Sequence, residues 1–339
     1  MSLPGFDEEA QQKLAAARIL VVGAGGLGCP ALQYLVSSGV GTIGIADYDV
    51  VSVKNLHRQI LYTTADEGMK KIIIAIERLS AQNPEVKFHA HDVQVNVANV
   101  KELINTYDIV LDCTDNFDTR YLLNDACVMA GKPLVYGAIY QYEGQVAVWN
   151  IRNEDGTLSP NYRDLYPEVN AAAVPNCADG GVIPTIAGII GCMQANEVIK
   201  YIRGTGELLA GRLLVLNAQT MQSRIIKLGA ASRTIIDALP ATVTPQEISV
   251  DELKEKMTGY QLVDVRTTEE HSLYNIGGLH IPLPEIKVAE MQTDKPIVCY
   301  CASGRRSAEA VKILSGRYPG AKLYSLQGGL DAWPVEYQG

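Results

Sequence analysis

The stretch Arg18-Ile19-Leu20-Val21-Val22 runs directly into Gly23-Ala24-Gly25-Gly26-Leu27-Gly28, and an apolar helical pattern continues to about Ser38. A buried strand that passes through a glycine-rich turn into a helix leaves few folds open. The glycines let the backbone approach a phosphate, and the helix N-terminus stabilises its negative charge. Gly41-Thr42-Ile43-Gly44-Ile45-Ala46-Asp47 reads as a second strand and completes a strand–turn–helix–strand unit. Asp47 closes that strand, where an acid can accept hydrogen bonds from ribose hydroxyls. The unit predicts an α/β domain that binds a nucleotide.

The pattern continues beyond it. Residues 69–79, 97–105 and 121–131 read as helices, and 86–92 and 108–112 as strands. No long helix separates 135–140 from 145–149, so these strands are expected to pair antiparallel and the sheet to be mixed. Residues 151–181 are polar and turn-rich and read as a long mobile loop. An apolar helix over 183–204 and two strands over 212–228 come next. Periodicity lapses over 230–244, with Pro240 and Pro245 bracketing its second half, and a fresh α/β pattern begins at Ile248. The expected division is a nucleotide-binding domain over 1–232, a linker over 233–245 and a smaller α/β domain over 246–339.

The second domain carries its own chemistry. Cys301-Ala302-Ser303-Gly304-Arg305-Arg306-Ser307 directly succeeds the apolar Pro296-Ile297-Val298-Cys299-Tyr300. A cysteine at the end of a buried strand, then a tight basic loop and a helix expected from about Ser307, suits a thiolate or a persulfide. Converging backbone N–H groups make an anion nest, and the helix end, Arg305 and Arg306 favour ionised sulfur. Cys299 alternates away from Cys301 along the strand and is expected to be buried and inert.

The chain has 339 residues, 47% of them apolar, and a net charge of −9. An acidic protein of this kind argues against direct nucleic-acid binding. No export signal is visible at Met1-Ser2-Leu3, and no apolar run reaches membrane-spanning length, so a cytoplasmic protein with no membrane partner is expected. The seven cysteines show no disulfide-like regularity.

The residues beyond the glycine turn are not dehydrogenase-like. Asp47-Tyr48-Asp49 leads to Lys54-Asn55-Leu56-His57-Arg58-Gln59, then Lys70-Lys71, then Asp112-Cys113-Thr114-Asp115-Asn116. Hydride transfer needs no cluster of cations with a carboxylate around phosphates. Nucleotidyl transfer does, because cations neutralise a triphosphate and a carboxylate holds Mg²⁺ on it. These strings, with Glu143-Gly144-Gln145 and Gly188-Ile189-Ile190-Gly191, resemble the MoeB/ThiF group. Those enzymes adenylate ubiquitin-like sulfur carriers and are relatives of ubiquitin-activating enzymes. The resemblance covers residues 10–230 and implies a Rossmann-like adenylating domain. It implies an ATP site drawn from Gly23, Gly25, Gly26, Gly28, Asp47, Asp49, Asn55, Arg58, Lys71, Asp115 and Asn116. Arg58 and Lys71 would contact phosphates, Asp115 would hold Mg²⁺, and Asp112 would be structural. Lys70 leaves the register of Lys71 open.

Residues 246–335 resemble single-domain rhodaneses through Leu262-Val263-Asp264-Val265-Arg266, Glu270-His271, Ile281-Pro282, the Cys301 loop and Gln327-Gly328-Gly329-Leu330-Asp331-Ala332-Trp333. By that resemblance Cys301 carries the sulfur and Arg306 assists it. Asp264 and Arg266 would brace the loop, and His271 and His280 would be structural. Together the two resemblances imply ATP- and Mg²⁺-dependent adenylation of a small sulfur carrier ending in Gly-Gly, then sulfur transfer to give a thiocarboxylate. The sulfur would come from a cysteine desulfurase or thiosulfate and end in molybdopterin, thiamin or thiolated tRNA. They also imply a homodimer. Cys177, in the turn-rich stretch, would reach the carrier terminus, or else be a bystander. Two other readings stay open: an NAD-dependent oxidoreductase fused to a sulfurtransferase, and a non-catalytic carrier-docking protein.

The chain departs from the MoeB/ThiF pattern twice. Many members hold a structural zinc with two CxxC pairs, which would fall near 161–164 and 231–237. Neither segment has a cysteine, so no zinc is expected, and something else must hold these segments unless they stay mobile. Members also begin with an arginine-rich element that reaches the partner's ATP in a dimer. The first arginine here is Arg18, so either the element is cut off or the subunit lacks that contact.

Overall fold

The computed structural model describes residues 6–167, 181–239 and 245–334. The chain divides into two compact units, with the main boundary after Pro240.

The first unit is built on an eight-stranded sheet ordered β3-β2-β1-β4-β5-β6-β7-β8. Its strands are β1 (Arg18–Val22), β2 (Thr42–Ala46), β3 (Lys87–His91), β4 (Ile109–Asp112), β5 (Leu134–Tyr140), β6 (Glu143–Trp149), β7 (Arg212–Asn217) and β8 (Gln222–Lys227). The first five in that order run parallel, and β5 through β8 are antiparallel neighbours, as a short β5–β6 turn requires. Its helices are α1 (Glu8–Ala16), α2 (Gly28–Ser37), α3 (Lys71–Gln82), α4 (Val100–Asn105), α5 (Phe117–Ala130), α6 (Tyr162–Leu165) and α7 (Pro184–Arg203).

Alternation along β1 decides which helices go where. Ile19 and Val21 face one core with Leu32 and Leu35 of α2, Ile72 of α3 and Ile186 and Ile190 of α7. Leu20 and Val22 face the other, with Val100 and Ile104 of α4 and Leu122 and Leu123 of α5. The chain leaves β1 toward β2 and β3, then returns to β4 on the other side. That reversal opens a crevice beyond the carboxyl ends of β1 and β4, where open α/β sheets bind ligands.

Three sequence expectations need correction in this unit. α5 starts at Phe117, a turn earlier than expected, because the Asn116 side chain caps it by accepting from Thr119 N. The stretch expected as a loop over 151–181 is packed in its first half: Tyr162 is buried, and Asn161 and Asp164 form a capping box around α6. The stretch from 230, expected to open the linker, is tied to the first unit. Asp164 accepts from Ser232 Oγ at 2.7 Å, Arg233 N at 2.8 Å and Thr234 Oγ1 at 2.8 Å, and Asn161 Nδ2 donates to Ser232 Oγ at 2.8 Å. The two segments that lack the zinc-binding cysteines thus meet around one carboxylate.

The second unit is a five-stranded parallel sheet ordered β11-β10-β12-β13-β9. Its strands are β9 (Gln246–Ile248), β10 (Gln261–Asp264), β11 (Leu279–His280), β12 (Ile297–Tyr300) and β13 (Leu323–Leu326). α8 (Val250–Glu255), α9 (Thr268–Leu273) and α10 (Arg305–Arg317) complete it with short 3-10 turns. β9, β11 and α9 were not legible in the sequence pattern. The central β12 is buried along its whole length. Among the described residues no helix is long and apolar enough to cross a membrane.

Candidate active sites

The crevice of the first unit is lined by Gly23, Gly25, Gly26, Asp47, Asp49, Arg58, Lys71, Asp115 and Asn116. Three strand ends contribute: the glycine turn succeeds β1, Asp47 and Asp49 succeed β2, and Asp115 and Asn116 succeed β4. Gly23 has φ +96°, and a Cβ there would stand 2.6 Å from Cys113 O, so only glycine fits. Gly28 and Asn55, expected in the site, are not among the lining residues. A Cβ on Gly28 would collide with Gly23 O, so this glycine seats α2 on the turn instead. The Asn55 carbonyl accepts from Arg58 N and Gln59 N at 3.1 Å.

Asp47 braces the turn from beneath. Its Oδ2 accepts from Ala24 N and its Oδ1 from Asp49 N, both at 2.8 Å. Burial pushes its carboxyl up, opposed by Lys71 and these two amides. Lys71 Nζ is buried and lies 2.9 Å from Asp49 Oδ2. Lys70 points elsewhere, to Asp92 Oδ1 at 3.0 Å and Tyr48 O at 2.9 Å, and of the two lysines Lys71 lines the crevice. Arg58 Nη1 lies 3.0 Å from His57 Nε2. Its stem runs under the turn, with Cγ 3.3 Å from where a Gly26 Cβ would be.

Asp115 is exposed at the crevice and makes no hydrogen bond or ion pair among the described residues. No group of three or more His, Cys, Asp or Glu side chains that could hold a metal occurs among the described residues. A single free carboxylate beside an anion-binding turn fits Mg²⁺, which keeps several waters and binds through one or two carboxylates and substrate phosphates. Gln59, Thr114 and Arg120 also line the crevice and were missed. Gln59 is buried and its Oε1 has no partner among the described residues, and its place beside Arg58 in an already notable string was the available signal.

In the second unit the Cys301 side chain is buried in the core, 1% exposed. Gly304 N donates to its Sγ at 3.2 Å, and Ser307 Oγ lies 3.6 Å away. Gly304 takes φ +88° and starts α10 at Arg305, two residues before the expected position, so the helix begins closer to the sulfur. Arg306 does not offer the free charge expected of it. Its Nη1 and Nη2 both reach the Glu270 carboxylate at 2.6 Å, and this pairing depresses the Glu270 carboxyl to about 2. Arg306 is therefore a positioning residue, and the exposed Arg305 is the uncommitted cation of the loop.

Asp264 and Arg266 form a buried pair, Arg266 Nη2 lying 2.6 Å from Asp264 Oδ2 and also donating to Tyr274 O at 2.6 Å. His271 Nδ1 lies 2.9 Å from the same Asp264 oxygen and its ring stacks on His280 at 4.2 Å. Cys299 is fully buried, and burial pushes its thiol up to about 12. Cys177 lies outside the described residues.

Comparison with known proteins bears on both units. Residues 1–235 match the ThiF family and residues 249–336 match the rhodanese-like domain. The chain is 39% identical to a probable adenylyltransferase/sulfurtransferase MoeZ of Mycobacterium tuberculosis, over 99% of this chain and 91% of that protein. It is 37% identical to the adenylyltransferase and sulfurtransferase MOCS3 of Drosophila willistoni, over 98% and 80% respectively. A sulfur carrier protein adenylyltransferase of Thermus thermophilus is 48% identical over 64% of this chain and 81% of its own. Among solved structures, Escherichia coli MccB with ATP matches at a TM-score of 0.58 and 18% identity, over 68% of this chain and 69% of that one, which speaks to the fold. The chain belongs to the ThiF family, and its ThiF domain is succeeded by a rhodanese-like domain.

Proposed function

We propose that the first unit uses ATP to adenylate the C-terminal glycine carboxylate of a small ubiquitin-like sulfur carrier, and that Cys301 supplies the sulfur that converts it to a thiocarboxylate. The observation that carries this reading is the free Asp115 carboxylate sharing one crevice with Arg58, Lys71 and the glycine turn. Nucleotidyl transfer needs that combination, and the functions named for the MoeZ, MOCS3 and Thermus relatives support it.

The carrier carboxylate oxygen attacks the α-phosphorus and pyrophosphate leaves. The backbone of Gly25 and Gly26 receives phosphate oxygens without steric hindrance, while Arg58 and Lys71 stabilise charge on the leaving group. Asp115 would hold Mg²⁺, which would neutralise negative charge on the triphosphate. The acyl-adenylate is then electrophilic at carbon. The terminal sulfur of a Cys301 persulfide attacks that carbon and AMP leaves, giving an acyl disulfide. A second thiol then attacks Cys301 Sγ, forms a disulfide with it and releases the thiocarboxylate. Gly304 N, which donates to Cys301 Sγ at 3.2 Å, stabilises the Cys301 thiolate before it is charged with sulfur.

A homodimer through the first unit, with thiosulfate or a desulfurase-borne persulfide as sulfur source, completes the proposal, and light scattering reads the dimer. The decisive experiment incubates the protein with ATP, Mg²⁺, thiosulfate, a thiol and small proteins ending in Gly-Gly. The expected product is one carrier whose mass shows a single oxygen replaced by sulfur. Carriers unchanged in mass, with no ATP–pyrophosphate exchange, would overturn the reading.

A further inference from the structure

Asp115 stands unpaired among the described residues, yet the turn that carries it is tightly held. β4 ends at the fully buried Asp112, whose Oδ1 accepts from both Thr114 N at 2.9 Å and Thr114 Oγ1 at 2.6 Å. Its Oδ2 accepts from Arg120 Nε at 3.3 Å. Arg120 comes from the first turn of α5, beyond Asp115, and its Nη2 donates back to Thr114 O at 3.0 Å and across to Gly137 O of β5 at 3.3 Å. Thr114 is thus gripped at its amide, hydroxyl and carbonyl by one ion pair. The guanidinium lies over the rings of Tyr136 and Phe117, 5.0 and 5.8 Å from their centroids. Gln194 of α7 fixes the strand end by donating to Asp112 O at 2.7 Å.

A buried ion pair is weak evidence for stability, since its desolvation offsets its attraction. This one grips the residue directly before Asp115. Resting on the nucleotidyl-transfer reading above, we infer that the Asp112–Arg120 pair is the positioning device for the Mg²⁺ ligand. It fixes the Thr114 peptide so that the Asp115 carboxylate is presented to the metal without reorganisation. Outer-shell partners of this kind are worth about 10–100-fold in metal affinity. Asp112 acts through the turn, and Arg120 also lines the crevice, so the test separates positioning from direct contact.

The test is calorimetric binding of a non-hydrolysable ATP analogue to the full chain, with and without Mg²⁺, for wild type, Asp115→Ala, Arg120→Lys, Asp112→Asn and Thr114→Val. Thr114→Val leaves the buried ion pair in place and removes only the hydroxyl contact, so it keeps the proposal testable if Asp112→Asn fails to fold. In wild type, Mg²⁺ should tighten binding. Asp115→Ala should abolish that gain. Arg120→Lys and Thr114→Val should each cut that gain, read as the ratio of affinity with Mg²⁺ to affinity without it, by at least about tenfold. Loss of affinity in Arg120→Lys that is equal with and without Mg²⁺ would show direct ligand contact and overturn the proposal. An unchanged Mg²⁺ gain in Thr114→Val and Arg120→Lys, with Asp115→Ala still defective, would overturn the positioning role alone. An unchanged gain in Asp115→Ala would instead overturn the metal site itself.

Discussion

Replacing Asp164 by alanine should loosen the end of the first unit, and the structure sets the size of the effect. The carboxylate accepts four hydrogen bonds: Asn161 N closes the capping box, and Ser232 Oγ, Arg233 N and Thr234 Oγ1 dock the segment that leads out of the unit. Each is worth about 1 kcal/mol net, so the three long-range bonds together stabilise the docked state by about 3 kcal/mol. Alanine should therefore raise amide exchange at Ser232–Thr234 roughly a hundredfold, with Asp164→Asn intermediate because it keeps one acceptor oxygen. Partial burial pushes the Asp164 carboxyl up, but its hydrogen bonds outweigh this and hold it below the usual range. A depressed folded value means the contribution is fully present above about pH 4, the unfolded value, and is lost as pH falls through the lower folded one. Hydrogen exchange by mass spectrometry across that range reads both effects. Chelator should change nothing, and elemental analysis should find no stoichiometric zinc. Wild-type exchange rates at 232–234 in the alanine variant, or a zinc ion whose removal frees the segment, would refute the reasoning.

Asp115→Ala should lower ATP–pyrophosphate exchange by at least about a hundredfold and leave thiosulfate-dependent sulfur transfer intact, because the residue stands in one unit only. Cys301→Ser should abolish persulfide formation by mass, while acyl-adenylate accumulates; Cys177→Ser should still charge Cys301, with final thiocarboxylate reduced. Glu270→Gln should weaken sulfur transfer by releasing Arg306. With the Glu270 carboxyl depressed to about 2, the wild-type pair is complete above about pH 4 and is lost only as pH falls toward the lower value. An activity profile limited by a group near neutrality that disappears in Glu270→Gln would contradict this.

The glycine turn, Arg58 and the Asp115 segment were legible because each is a local string whose chemistry comes from residue type and spacing. Asp115 was visible as a candidate, but the Asp112–Arg120 grip beneath it was not, since it depends on which way α5 turns after Asn116. Gly28 sits in the same glycine run as Gly25 yet packs against the turn, a difference of one helical register that spacing alone does not resolve. Arg306 was read as free charge because its partner Glu270 lies 36 residues away in sequence. The Asp164 contacts span 68 to 70 residues and were invisible for the same reason. β9 and β11 escaped because strands of three and two residues carry too little alternation to register.

Lys71 is a buried ammonium, with 5% of its side chain exposed, and its counter-ion Asp49 is half in water at 52%. The asymmetry makes Asp49 a placeholder. It satisfies the lysine, and being half in water it can turn into solvent at little cost. Under the proposed nucleotidyl transfer, ligand entry would exchange one anion for another at a fixed cation. The same exchange would run in reverse on departure, with Asp49 competing for the lysine as pyrophosphate leaves. A triphosphate, with more charge to offer than either product, is the species best able to hold the carboxylate off.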